Sequence, residues 1–108
     1  MSFKVLLTED ASADIEAIYD YVALHDSEIN AHRLLDQFEK LVASLSDFPD
    51  RGVYPKELLA LGIREYRQLN FKPYRMIYRM IGKAVHVYLI VDGRRDMKSL
   101  LSARLLGA

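Results

Sequence analysis

Residues 62–101 read GIREYRQLNFKPYRMIYRMIGKAVHVYLIVDGRRDMKSLL, and this stretch holds the sheet. Between Tyr66 and Asp92 the residues are mostly β-branched, aromatic or long and apolar. Breaks at Lys72-Pro73 and Gly82-Lys83 divide the run into strands at about Arg64–Asn70, Tyr74–Met80 and Ala84–Asp92. Gly82-Lys83 has the length of a two-residue hairpin loop, so the three strands form an antiparallel meander. Alternation puts Arg75, Ile77 and Arg79 on one face and Tyr74, Met76, Tyr78 and Met80 on the other, with the arginine face turned away from the helices. The last strand is apolar on both faces and belongs in the centre of the sheet. Arg64, Arg67, Arg75, Arg79, Arg94 and Arg95 sit in or at the ends of these strands, where a sheet that only needed a core would carry Thr, Ser or Lys.

Upstream, Phe3-Lys4-Val5-Leu6-Leu7 is a short apolar run suited to a first strand, and Thr8 is placed to cap a helix whose first turn is acidic. That helix runs from about Glu9 to Leu24, with Ala11, Ile15, Ile18, Tyr19 and Val22 at three- and four-residue steps. After a break at His25-Asp26-Ser27, the residues Ala31, Leu34, Leu35, Phe38, Leu41, Val42 and Leu45 repeat the spacing in a second helix. So short a connection makes an antiparallel helical hairpin, and only the sheet can cover its apolar stripe. Phe48 to Pro55 is a Pro/Gly loop, Glu57 to Leu61 has room for one helical turn, and Asp96–Leu106 reads as a short C-terminal helix. The expected fold is α+β, ordered β-α-α-β-β-β with a short terminal helix, and at 108 residues the whole chain, 1–108, is the length of one domain.

Composition narrows the functional classes. Hydrophobic residues make up 51% and charged residues 28%, and no apolar run reaches the roughly 20 residues that span a bilayer. The N-terminus turns acidic too early for a signal peptide, so a cytoplasmic location is expected. With no cysteine there are no disulfides, thiol nucleophiles or Cys-based metal sites. His25, His32 and His86 have no spacing that would gather them, so neither a metal nor a cofactor is expected. The net charge of zero conceals two poles. Residues 1–50 carry three Lys and Arg against eleven Asp and Glu, a net of −8, and residues 51–108 carry twelve against four, a net of +8. Such poles either attract within the fold or present a basic face to a partner.

A strand, an acidic helical hairpin, a Pro/Gly loop, the strand Tyr74-Arg75-Met76-Ile77-Tyr78-Arg79, and Gly93-Arg94-Arg95-Asp96 at the end of the last strand together resemble the ParE/RelE superfamily of type II toxin–antitoxin toxins. The resemblance spans essentially the whole chain. For a RelE-like member it implies a ribosome-dependent mRNA endoribonuclease, working by 2′-hydroxyl attack with Arg75 and Arg95 among its catalytic residues. Where that pattern has lysines on the preceding strand this chain has Tyr66 and Gln68, and where it has a tyrosine on the C-terminal helix this chain has Leu101. Arginine stays charged and does not exchange protons near neutral pH, so the two that remain can stabilise charge but cannot serve as acid or base. The only neighbouring candidates for a base are His86 and Tyr88. The chain therefore resembles the ParE branch more closely, which implies a non-enzymatic toxin that poisons DNA gyrase and is neutralised by a cognate ParD-like antitoxin with an acidic amphipathic segment. On that reading Arg94, Arg95, Leu100, Leu101 and Leu105 form the target contact and Arg75 and Arg79 meet the antitoxin, without sequence-specific nucleic-acid binding. In the plainer reading Arg75 and Arg79 are outward residues paired with Glu57 or Glu65, and Asp96 caps a helix.

Overall fold

The computed structural model describes residues 2–107. Strand β1 (Lys4–Leu7) is followed by helices α1 (Glu9–His25) and α2 (Glu28–Asp47), a short helix α3 (Lys56–Leu59), strands β2 (Arg67–Phe71), β3 (Tyr74–Ile81) and β4 (Ala84–Asp92), and helix α4 (Met97–Leu105). The expected α+β order is present. The sheet order is β1-β4-β3-β2, with β1 parallel to β4 and the other neighbours antiparallel, so β4 is interior as its two apolar faces require.

Local chemistry accounts for the element boundaries. The Thr8 hydroxyl accepts from the Ala11 amide at 3.1 Å, and the Ser27 hydroxyl accepts from the Asn30 amide at 3.1 Å, which fixes the starts of α1 and α2. Gly82 has φ +60° as the first central residue of the β3–β4 turn, the geometry of the two-residue hairpin that favours glycine there. In the 48–55 loop, Val53 bridges to Gln68 in both directions (3.1 and 2.7 Å), and the Gly52 amide donates to the Tyr78 hydroxyl at 3.0 Å. A Cβ on Gly52 would lie 2.6 Å from that hydroxyl and 2.7 Å from the Gln68 carbonyl oxygen, so only glycine allows the approach.

The sheet separates two cores. One lies beneath the hairpin and joins Ala11, Phe38 and Leu45 to Leu69, Met76, Tyr78, Val85, Val87 and Ile90. Phe38 meets Phe71 and Tyr74 edge-on, with ring centroids 5.9 and 5.2 Å apart. The other joins Leu58 of α3, Tyr66, and Met97 and Leu101 of α4 to Ile77, Leu89 and Val91. The face carrying Arg75 and Arg79 is thus turned away from the hairpin as expected, but it is roofed by α3 and α4. The β3–β4 register explains how β4 serves both cores. Tyr78 pairs with Val87 and Ile77 with Leu89, so Tyr88 is a bulge, and beyond it the alternation inverts. Val85 and Val87 face the hairpin before the bulge, and Ile90 does so after it.

Two elements depart from expectation by more than one residue. β2 begins at Arg67 rather than Arg64, because Arg67 is the last residue paired with β3 and Tyr66 turns its ring into the second core. The helical turn runs over Lys56–Leu59 rather than from Glu57 to Leu61. Among the described residues no helix is long and apolar enough to cross a membrane.

Candidate functional site

The basic residues of the strand region are not equivalent, and what each touches separates them. Arg75 projects from β3 with its side chain 12% exposed. Its two terminal nitrogens donate to the two carboxylate oxygens of Glu57 at 2.9 and 2.7 Å, and Nε donates to the side-chain carbonyl of Gln68 at 2.9 Å. The fork geometry matches a carboxylate oxygen to oxygen, which is the strongest form of such a pair. Hydrogen bonding from Arg75 holds the Glu57 carboxyl below its ordinary value even though burial opposes this. Gly93 makes room for the arginine stem, since a Cβ there would lie 2.7 Å from Cδ and 2.9 Å from Cγ of Arg75. Glu57 is available because α3 carries it, and α3 is anchored by Leu58, which is 1% exposed in the second core.

Arg94 and Arg95 follow at the end of β4. Arg94 folds back on Asp92, donating from its backbone amide and from Nε to one carboxylate oxygen (2.9 and 3.0 Å) and from a terminal nitrogen to the other (2.6 Å). These bonds pull the Asp92 carboxyl down to about 2. Arg95 is exposed and has no ion pair among the described residues. It lines a cleft of about 550 Å³ between α1 and the ends of β3 and β4, shared with Tyr21, Tyr74 and Arg94.

Helix α4 starts at Asp96, whose carboxylate accepts from the Ser99 amide and hydroxyl at 3.2 and 2.8 Å. Leu101 is 1% exposed, so within the fold it anchors α4 rather than facing outward, while Leu100 and Leu105 pack on the margin of the same core. Arg104 ties the helix to α1, donating to both oxygens of Asp14 (2.9 and 3.2 Å) and to the Tyr88 carbonyl (3.0 Å). Asp14 also accepts from the Ile90 amide at 3.0 Å, on the part of β4 that β1 is too short to pair.

The arginines singled out from sequence as site residues therefore fall in three places. Arg75 is joined to Glu57 and Gln68. Arg94 and Arg95 border the α1 cleft. Arg79 lies over the Tyr66 ring at 5.7 Å, with no carboxylate partner among the described residues. Arg75 and Arg95 do not share a cleft. Tyr88 meets the Tyr66 ring edge-on at 5.6 Å and lies 6.4 Å from the tilted His86 ring, and among the described residues neither His86 nor Tyr88 hydrogen-bonds to Arg75. Sequence reasoning missed the Arg104–Asp14 tie, and it placed Gly93 in the Gly93-Arg94-Arg95-Asp96 motif without its role of making room for Arg75. For Arg75 the sequence offers both Glu57 and Glu65, and nothing in the linear order separates them.

The family model for the ParE toxin of type II toxin–antitoxin system, parDE, matches residues 5–97. Toxin ParE3 of Caulobacter vibrioides is 27% identical over 101 residues, which cover 94% of this chain and 97% of that protein. A chain from the structure described as the chromosomal ParDE TA system from P. aeruginosa superposes with a TM-score of 0.71 at 22% identity, covering 84% of this chain and 96% of that one.

Proposed function

The chain belongs to the ParE family of type II toxin–antitoxin toxins, and on that premise we propose that it arrests growth by binding DNA gyrase in the cytoplasm, without cutting RNA, and that a cognate antitoxin neutralises it. The observation that carries the choice is the Arg75–Glu57 pair. RNA cleavage by 2′-hydroxyl attack needs a free cation at the phosphate and groups that move protons at the attacking and leaving oxygens. Here the cation is already matched by a carboxylate, and that carboxylate is held ionised with both oxygens bonded, which makes it a weak base. Of the three positions where the ribonuclease pattern has lysines and a tyrosine, Tyr66 and Leu101, 8% and 1% exposed, are spent on the second core, and Gln68 is spent on accepting from Arg75.

Binding without chemistry needs fixed charge and apolar anchors at an exposed end of the fold. Arg94, Arg95, Leu100 and Leu105 supply them, and Leu101 supports them from below. Purified protein should inhibit gyrase supercoiling or trap a cleaved gyrase–DNA complex, and should leave mRNA intact on translating ribosomes. Codon-positioned mRNA cuts with unaffected gyrase would overturn the assignment.

The antitoxin of this reading is ParD-like and offers an acidic amphipathic segment to the groove between the hairpin and the sheet edge. Support comes from β1, an outer strand with Leu6 and Leu7 37% and 38% exposed, and from Arg95 at the α1 cleft, which has no ion pair among the described residues. Arg79 has no carboxylate partner among the described residues but lies on the face turned away from the hairpin, so only a segment that wraps around the sheet edge meets it. Arg75 would meet an acidic side chain only by exchanging Glu57 for the partner's carboxylate.

A further inference from the structure

We propose that the cleft lined by Arg64, Arg67 and Arg79 is a sequence-independent contact for the phosphodiester backbone of a nucleic acid. Arg64, Arg67 and Arg79 line one cleft of about 260 Å³ beside the N-terminal end of β2, together with Glu65 and Met80. Among the described residues neither Arg64 nor Arg79 makes an ion pair, and Glu65 pairs with none of the three. Arg67 is held by protein oxygens, donating to the Gly52 carbonyl at 3.0 Å and the Tyr54 hydroxyl at 3.3 Å. Two of the three are oriented by aromatic faces: Arg67 lies 4.7 Å from the Tyr54 ring centre and Arg79 lies 5.7 Å from that of Tyr66.

Arg67 already gives its terminal nitrogens to protein oxygens and acts through its fixed charge, whereas stacking on Tyr66 orients the Arg79 guanidinium and leaves its N–H edge open, so little freedom remains to be lost when a phosphate oxygen arrives there. Cross-strand pairing sets His86 opposite Arg79, which extends the polar strip along the sheet. The lining favours phosphate over an acidic peptide, because Met80 is the only apolar residue in it and a peptide would need side-chain pockets. It also holds no Asn, Gln, Ser or Thr to read base edges, so the contact carries no sequence preference. This inference does not depend on gyrase being the target.

The test is fluorescence anisotropy of a labelled 20-base-pair DNA duplex titrated with the full-length protein at several salt concentrations. The comparison is between wild type, Arg64→Gln/Arg79→Gln, Arg64→Gln alone, and Lys4→Gln/Lys40→Gln, which lowers the net charge equally on the acidic half. Two phosphate contacts imply a log–log salt slope of about −1.8 from this cleft, hence about a tenfold loss of affinity between 50 and 200 mM salt. The arginine double variant should bind at least about tenfold more weakly at low salt with the slope reduced by about 1.8, Arg64→Gln alone should remove about half of that slope, and the lysine control should change affinity less than about twofold. Arg64 is exposed and outside any strand, so its single variant keeps the test valid if the double variant misfolds. Absence of duplex binding by the wild type at low salt would reject the contact, as would equal weakening by the arginine and lysine pairs. Parallel arms with single-stranded RNA and with inorganic phosphate identify the source. Displacement of the duplex by inorganic phosphate at its own binding concentration, with no tighter binding of either polymer, would reduce the cleft to a simple anion site and overturn the nucleic-acid assignment.

Discussion

At the scale of single residues, the Arg75–Glu57 pair decides the most. Both side chains are largely covered, at 12% and 15% exposure, so removing one leaves the other short of a partner in a poorly solvated place. Glu57→Gln keeps the shape, loses the charge, and should lower stability by about 1–3 kcal/mol at neutral pH in a urea titration. The sign of the pH dependence follows from the depressed carboxyl. Because its folded value lies below the ordinary 4.5, its contribution is complete above that value and disappears as pH falls through the depressed one. Wild type should therefore lose its advantage over Glu57→Gln as pH falls through the depressed value, and an advantage that does not shrink on acidification for as long as the fold persists would show that the pair's worth is not electrostatic. Gly93→Ala acts on the same arginine from the other side, since its Cβ would collide with the stem at 2.7 Å. It should destabilise by about 1–3 kcal/mol in wild type and by less in an Arg75→Ala background, because the collision is then gone.

Among elements, α2 and α4 differ in what holds them. α2 buries Phe38 and Leu45 against the sheet, so Phe38→Ala should cost about 3–5 kcal/mol by chemical denaturation, and a loss below about 1 would mean the ring is not part of the core. α4 is short, yet Met97 and Leu101 close the second core and Arg104 ties it to Asp14. Truncation after Asp96 would consequently uncover Ile77, Leu89 and Val91 and should lower the thermal midpoint sharply, so a loss of toxicity on truncation would not by itself locate the target contact. Arg94→Ala/Arg95→Ala is the cleaner probe: both side chains are exposed, so gyrase inhibition should drop by at least about tenfold while the thermal midpoint barely moves. These elements were legible in the sequence where their causes are local. Thr8, Ser27 and Asp96 cap the helices from positions next to the apolar runs, and the Tyr74–Met80 alternation reports its own two faces. The Tyr88 bulge is set by how β3 and β4 meet, and the roof over the second core by where α3 and α4 land, so neither leaves a periodic trace. The pairing of Arg75 with Glu57, eighteen residues away, is of the same kind.

For the whole molecule, the open question in the sequence was whether its two charged poles neutralise each other inside the fold. They hardly do. Among the described residues, Arg75–Glu57 and Arg94–Asp92 are pairs within the basic half, and Arg104 alone, with Asp14 and Asp10, crosses to the acidic one. The asymmetry is therefore displayed on the surface, where it can steer an oppositely charged partner. An acidic antitoxin segment approaching the basic side should associate rapidly at low salt, with an on-rate that falls steeply as salt shortens the screening length from about 30 Å at 0.01 M to about 10 Å at 0.1 M. Its dissociation should depend much less on salt, because apolar contacts along the groove do not feel screening. Charge reversal at the exposed Arg95 together with Arg79 should slow association by about tenfold or more while leaving the off-rate within a few-fold of wild type. Stopped-flow mixing of toxin and antitoxin over a salt series separates the two rates. An on-rate insensitive to both salt and the reversals would mean that the basic pole does not guide this partner, and that the antitoxin is recognised through the apolar groove alone.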